Sequence, residues 1–380
     1  MADLQIKNTL KIIIYIIVFI GTSGLLINKF PFIFDFFQNR EADITNSSVP
    51  EPGAISYIEK IDNFAMQEFN ENQQLIHYIE AKTYLNYKDS PIKLVYPIVT
   101  IYDDNGLTDY VLNSQSANYL DNGDFIFSGK VEIKPGSGTG HHMKTEELLV
   151  SSKTNNYSST KKVYYYGDRA EVVAQDGMLM NAPDDKLDLI GYTDIELDDG
   201  QTLSTKNLVV DRSNGKEHYY SEFPTTYISD NNKVSSEAMD LDMQEDIINL
   251  YGEAVLENSD VTINTKNLVI DKSNGQEHYY SKFDTDYITN KNTVRSESID
   301  LNMKTNINHL YGKVTILQSS GTRIDTSDLV IDKSDGREIY KTNNKIHYNS
   351  GYADIKAKGM YYDVSGQLMN LTGGVVASYE

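Results

Sequence analysis

The sequence predicts an all-β molecule: an elongated stack of antiparallel strands in two facing sheets, carried behind one N-terminal hydrophobic helix. Three observations predict it. An apolar run fills Leu10–Ile27, a motif recurs about every 60 residues, and short stretches alternate apolar and polar residues. Composition agrees, with 28 Tyr, no Trp and no Cys, and with Asn, Asp and Ser concentrated in the polar segments. Tyr, Val, Ile and Thr suit a half-buried pleated surface, whereas Asn, Asp, Ser and Gly make turns.

In chain order, residues 1–9 read as a short cytoplasmic N-terminus and 10–28 as a transmembrane helix. The run LKIIIYIIVFIGTSGLLI spans about 27 Å at ~1.5 Å per residue, against a bilayer core of ~30 Å. Lys7 and Lys11 favour keeping the N-terminal side in the cytoplasm, which places the bulk of the chain beyond the membrane. No small-x-small cleavage site follows Ile27, so an uncleaved anchor is preferred to a signal peptide. The aromatic stretch Phe30–Phe37 suits the outer interface. Residues 29–54 form a juxtamembrane linker, because READITNSSVPEPG (40–53) has no periodicity and carries two prolines.

Self-comparison gives the strongest signal. TKNLVVDRSNGKEHYYSEF at 205–223 recurs as TKNLVIDKSNGQEHYYSKF at 265–283, with a weaker copy from Thr326 and an eroded one from Thr145. A glycine inside an apolar strand falls at Gly129, Gly191, Gly252, Gly312 and Gly373, at intervals of 62, 61, 60 and 61. Such a glycine implies a bend or a close backbone approach. Before each glycine lies an alternating stretch: Ala117 and Tyr119; Met178 and Met180; Met239, Leu241 and Met243; Ile299, Leu301 and Met303; Met360, Tyr362 and Val364. Period-two alternation is a strand with one face on a core. Each unit reads as about five short strands, with SNG and SDG placing Gly where a hairpin needs positive φ. Units this small must stack to bury a face. Shorter β-helix coils and tryptophan-marked propeller blades fit less well. The repeat alone leaves open whether the interior is filled or holds a ligand.

Several function classes drop out. A formal net charge of −21 opposes nucleic-acid binding, which rests on cations displacing counterions. Without cysteine there are no disulfides, thiolate metal sites or cysteine nucleophiles. His218 and His278 occupy one repeat position, and His141–His142 fall in a Gly-rich stretch expected to be a solvated loop. His77, His309 and His347 have no catalytic companion at motif spacing, and PGSGTG lacks the ending of a phosphate loop. The reading is a non-enzyme with no catalytic residues, metal site or cofactor.

The segments LIHYIEAKTYLNYKDSPIKLVYPIVTIYDDNG (75–106) and VLNSQSANYLDNGDFIFSGKVEI (111–133), behind a single span, resemble LptC, the bitopic component of the lipopolysaccharide export machine. The later units resemble the related LptA/OstA-like repeat, through Thr205–Leu208–Asp211 and Thr265–Leu268–Asp271. The resemblance implies an LptC-like β-jellyroll at 55–195 and additional LptA/OstA-like repeats at 196–380. It implies an inner-membrane, largely periplasmic protein whose apolar groove takes lipid A acyl chains from an ABC transporter complex (LptB/LptF/LptG-like). The chains then pass to a downstream LptA- or LptD-like jellyroll. Met178, Met180, Met239, Leu241, Met243, Ile299, Leu301 and Met303 would line that groove, with Gly129, Gly191, Gly252 and Gly312 making room. Val375, Val376 and Ala377 would lie on a C-terminal edge strand that pairs with the partner. About three units follow Gly191, beyond the usual LptC length. At ~4.8 Å per strand and two to three strands per sheet, each unit would add about 12 Å, for a stack of roughly 60–70 Å. The alternative is a membrane-anchored structural or adhesive repeat with a filled core.

Overall fold

A computed structural model describes residues 57–379, apart from 104, 137–139 and 152–153. The expected helix at 10–28 and linker at 29–54 lie outside the described residues. Among the described residues no helix is long and apolar enough to cross a membrane.

The described chain is all-β and jellyroll-like, and its repeat is built from four passes. In the copy at 186–242, the first pass is Lys186–Leu197 and the second is Thr202–Asp211. The third is His218–Ser221 continued by Thr225–Ser229, and the fourth is Asn232–Ser236 continued by Ala238–Asp242. Every pass bends at its middle. One half of the first pass pairs with Gly177–Asn181 and the other with Ala170–Ala174. The second pass splits in the same way, Val209–Asp211 pairing with His218–Tyr220 and Thr202–Ser204 with Thr226–Ile228. The ladder thus continues on both sides of each bend, and the two facing sheets are one sheet creased lengthwise into two arms. Bends lie along the crease and tight turns at the arm tips. The same four passes occur at 125–181, 247–302 and 307–363.

This corrects the expected five short strands. The short apolar stretches are halves of bent passes, so each unit adds four strands to each arm. At ~4.8 Å per strand that is about 19 Å per unit rather than 12, and about 100 Å for the described stack.

The crease has its own chemistry, because a strand that turns a corner loses ladder partners there. Gly191 sits at φ +82° where the register shifts between Leu189 and Tyr192. Opposite it, Asn207 is left-handed (φ +47°), and its Oδ1 accepts the Gly191 N–H at 2.9 Å. Gly252 with Asn267 and Gly312 with Asp328 repeat the arrangement at 2.9 Å each. On the inner side of the crease hydroxyls replace the ladder. Thr205 donates to Ser221 at 2.9 Å, and Ser221 donates to the Lys206 carbonyl at 2.6 Å while accepting the Phe223 N–H. Thr265 and Ser281 do the same one unit later; one unit earlier the Thr145 and Ser159 hydroxyls meet at 3.1 Å and Thr145 donates to the Lys162 carbonyl.

The recurring Thr…Leu…Asp motif now decodes in order. Thr205 closes the crease, Leu208 is fully buried, and Asp211 accepts the backbone N–H and hydroxyl of Ser213 to fix the arm-tip turn. That turn places Gly215 at φ +67°, as SNG predicts.

Gly252 (φ +76°) and Gly275 (φ +67°) separate conformational strain from crowding. A Cβ on Gly275 meets open space, whereas one on Gly252 runs into Glu237, including its Cβ at 2.8 Å. Gly275→Ala should therefore lose only about 1 kcal/mol from positive φ, and Gly252→Ala about 2–3 kcal/mol. Denaturant unfolding of the two variants checks the order; equal losses would contradict the close approach at the crease.

Candidate functional site

The space between the arms is the candidate site, and the inward residues of the alternating passes build it. Met178, Met180, Met239, Leu241, Ile299 and Leu301 are each at most 2% exposed. Met243 is 8% exposed, and Met303 is half-buried against the same cluster. All eight expected lining residues belong to one apolar core that runs from Ile79 to Val364.

The expected glycines do not line it. A Cβ on Gly129 would strike Gln115, and Cβ atoms on Gly191, Gly252 and Gly312 would strike Asp176, Glu237 and Glu297. Those four partners are exposed, so the glycines open toward the outside of the crease. Their role is the bend, not room for acyl chains.

Sequence reasoning missed the tyrosines. Tyr157, Tyr219, Tyr279 and Tyr340 form a column on one arm, facing Tyr165, Tyr227 and Tyr287 on the other, all at most 1% exposed. Tyr165 and Tyr219 meet edge to face across the interior, with centroids 6.4 Å apart. The signal was present in the repeated HYYS, TTYI and TDYI, but alternation alone does not say which face of two adjacent tyrosines turns inward.

Above the tyrosines, at the mouth between the arm tips, lie clusters of charge. Arg212 and Glu217, 5% and 4% exposed, belong to one arm. Glu217 accepts from Tyr165 at 2.5 Å and from the Asp168 N–H at 2.9 Å, and Arg212 reaches Asp168 at 3.4 Å, all on the opposite arm. One unit on, Lys272 reaches Asp199 and Gln201 at 2.6 Å each. Glu277 accepts from Gln201 at 2.6 Å, from Tyr227 at 2.8 Å and from Ser229 across the mouth, and from Tyr279 of its own arm at 2.6 Å. Arg169 crosses in the other direction, to Asp246 and to the Met243 carbonyl.

The histidines are distributed differently. His218 pairs with Asp240 at 2.9 Å and His278 with Asp300 at 2.6 Å, at equivalent positions. His141 corrects the expectation of a solvated loop. It is fully buried against Tyr165, with Nε2 3.2 Å from Asp185 but not in hydrogen-bonding geometry. Tyr165 and Asp185 flank its ring, a pairing that local sequence does not reveal. Among the described residues no His, Asp or Glu group could hold a metal. The clefts around Glu253, Lys266 and Arg295, and around Pro183 and Ser213, are lined without any of the interior methionines.

At the C-terminal end Val376–Tyr379 pairs with Ala353–Lys356 on one side, and no described residue pairs with its other side. Val375 and Val376 are 49% and 68% exposed, and Ala377 stands opposite Ile355. Among the described residues, the N-terminal strand Tyr57–Phe69 likewise pairs only with Leu75–Tyr87.

The sequence family described as "Lipopolysaccharide-assembly, LptC-related" matches residues 33–198 and 281–380 of this chain. No curated protein matches it.

Burial pushes the phenols of Tyr157, Tyr227 and Tyr279 above the ordinary value of 10.0. The folded chain therefore holds these protons more tightly than the unfolded chain. Their contribution is complete below that value and is lost as pH rises through the folded pKa values. Alkaline titration should show tyrosinate absorbance rising in a cooperative step together with loss of the strand signal. Gradual ionisation with the strand signal intact would mean that the interior phenols already reach water.

Proposed function

We propose that this chain, which belongs to the LptC-related lipopolysaccharide-assembly family and so serves lipopolysaccharide transport, carries acyl chains between its two arms and passes them along the stack. The observation that supports this is the continuity of the interior. Methionines and aliphatic residues recur at matched heights in successive units and form one apolar cluster along the described stack. Methionine is unbranched and repacks readily around irregular chains. Apolar burial, at ~25 cal/mol per Å², suffices to hold acyl groups whatever the net charge of the protein.

In this reading the segment 10–28 anchors the chain in the inner membrane, with the β-stack in the periplasm. An ABC transporter complex of LptB/LptF/LptG type supplies the lipid, and an LptA- or LptD-like jellyroll receives it at the C-terminal edge. An unpaired edge is a ready template for a partner strand. With about 19 Å per unit, the units after Gly191 take over part of the bridge that separate jellyroll proteins otherwise build.

The scaffold reading has its own support, because most of the interior residues are packed to 2% exposure or less. A conduit of this kind must part its arms to load. A photo-crosslinking residue at Met239 or Leu301 should capture lipopolysaccharide in cells, and one at Tyr192, 63% exposed on the outside, should not. No capture at either interior position, or equal capture at Tyr192, favours the scaffold. Removing 371–380 should abolish a crosslink to the downstream jellyroll; a crosslink of unchanged strength rules out the C-terminal edge as the contact.

A further inference from the structure

The charged clusters at the mouth recur at the spacing of the repeat. Arg212, Lys272 and Lys333 each open an arm-tip turn, and Glu217, Glu277 and Glu338 each close it. Burying such groups is costly unless they are paired and hydrogen-bonded, and here the pairing comes from the opposite arm. Lys272 is 9% exposed, and its partners Asp199 and Gln201 are both across the mouth. Arg212 shares Glu217 with its own arm but reaches Asp168 across. At Lys333 the cross-arm partner is the ring of Tyr287, 5.5 Å away. The carboxylates divide in the opposite sense. Glu277 keeps Tyr279 and Glu338 keeps Tyr340, both on the same arm. If the arms part, the glutamates retain a donor, whereas Lys272 loses both partners and Arg212 loses one. An opened mouth therefore presents cations at unit spacing, directly above an apolar interior.

We propose that these clusters are latches that hold the arms closed, and that Arg212 and Lys272 are anion-binding positions for the phosphate groups of an amphipathic lipid, which replace Asp168 and Asp199 as the acyl chains enter. The second half rests on the conduit reading; the first does not. An amphiphile fits because the anion site lies at the rim of the same space that takes the chains. Phosphate suits both cations, since arginine binds it with a planar fork of donors and lysine as a point charge. At four strands per unit, successive cations are about 19 Å apart along the mouth. A bound headgroup would thus move between discrete positions.

The cysteine-free chain permits a clean test. Leu241 is 2% exposed and lies one residue from the arm tip, so Leu241→Cys in the full chain in detergent reports opening through its rate of maleimide labelling. Adding Lys272→Gln should speed labelling about tenfold, since the closed arms lose the charge-assisted hydrogen bond from Lys272 to Asp199. Lys272→Arg should restore the slow rate. Lys266→Gln, which removes an exposed cation paired with Glu253, should leave it unchanged. Unchanged labelling in Lys272→Gln, with the strand signal intact, overturns the latch.

For the anion site, a photo-crosslinker at Leu301 is offered a phosphorylated glycolipid or its dephosphorylated counterpart. Lys272→Gln should lower capture of the phosphorylated lipid relative to the dephosphorylated one at least about fivefold, since faster opening admits both and only the first loses a charge-assisted contact. An unchanged ratio overturns the phosphate role. Capture of neither lipid by the chain with Lys272 intact rejects the conduit and the anion site together, while the labelling rates still decide the latch.

Discussion

The crease is the constraint on which the rest of the structure depends. A β-strand can turn a sharp corner only by giving up ladder hydrogen bonds, and an unpaired buried backbone group costs about as much as a lost hydrogen bond. The chain meets this with two recurring devices, one between the first and second passes and one between the second and third. Outside, a left-handed Gly faces a left-handed Asn or Asp whose side chain takes the glycine N–H, as at Gly191 and Asn207. Inside, a Thr and a Ser cover the gap, as at Thr205 and Ser221. Because both devices recur with the repeat, bends stack on bends. The arms then face each other over the described length of the sheet, and the inward half of every alternating strand becomes interior.

That dependence explains what could be read in advance. Periodicity carried the all-β class, the repeat period and the inward residues Met239, Leu241, Ile299 and Leu301, because alternation is a local property of the backbone. It did not reveal that two short alternating stretches, such as His218–Ser221 and Thr225–Ser229, are halves of one bent pass. Nor could it separate a glycine needed for a bend from one leaving room for a ligand, since both read as Gly inside an apolar strand. The mouth was least legible. Lys272 and Asp199 lie 73 residues apart, and pairs that meet only through stacking have no local signature. His141 was misjudged for the same reason, since a glycine-rich stretch predicts a loop but not what covers it.

A packed interior and a transport role are compatible only if opening is a small, local step. Each unit contacts its neighbours through the ladder, so the stack behaves as a nearly one-dimensional array in which opening can propagate. Parting the arms exposes methionine, leucine and tyrosine surface, and only a ligand that replaces that apolar contact can hold the open form. Water cannot. A closed resting state then follows from composition, because empty arms would expose an apolar face along every unit, an aggregation hazard for any protein.

The division of labour within the stack follows from where its regularity lies. The family resemblance matches 33–198 and 281–380 and leaves out 199–280, yet that stretch has the same bent passes and crease as its neighbours. What distinguishes it is the mouth, where the Lys272 and Glu277 cluster draws on five side chains around it. Toward the C-terminus the cross-arm ties involve fewer charges: the Lys333–Tyr287 contact, Lys291 to the Val364 carbonyl, and the hydrogen bonds of Asn292 with Tyr340 and Gln318 with Tyr362. On the proposed conduit reading, a chain-bearing ligand that has passed the middle unit would meet fewer charged ties toward the C-terminal edge.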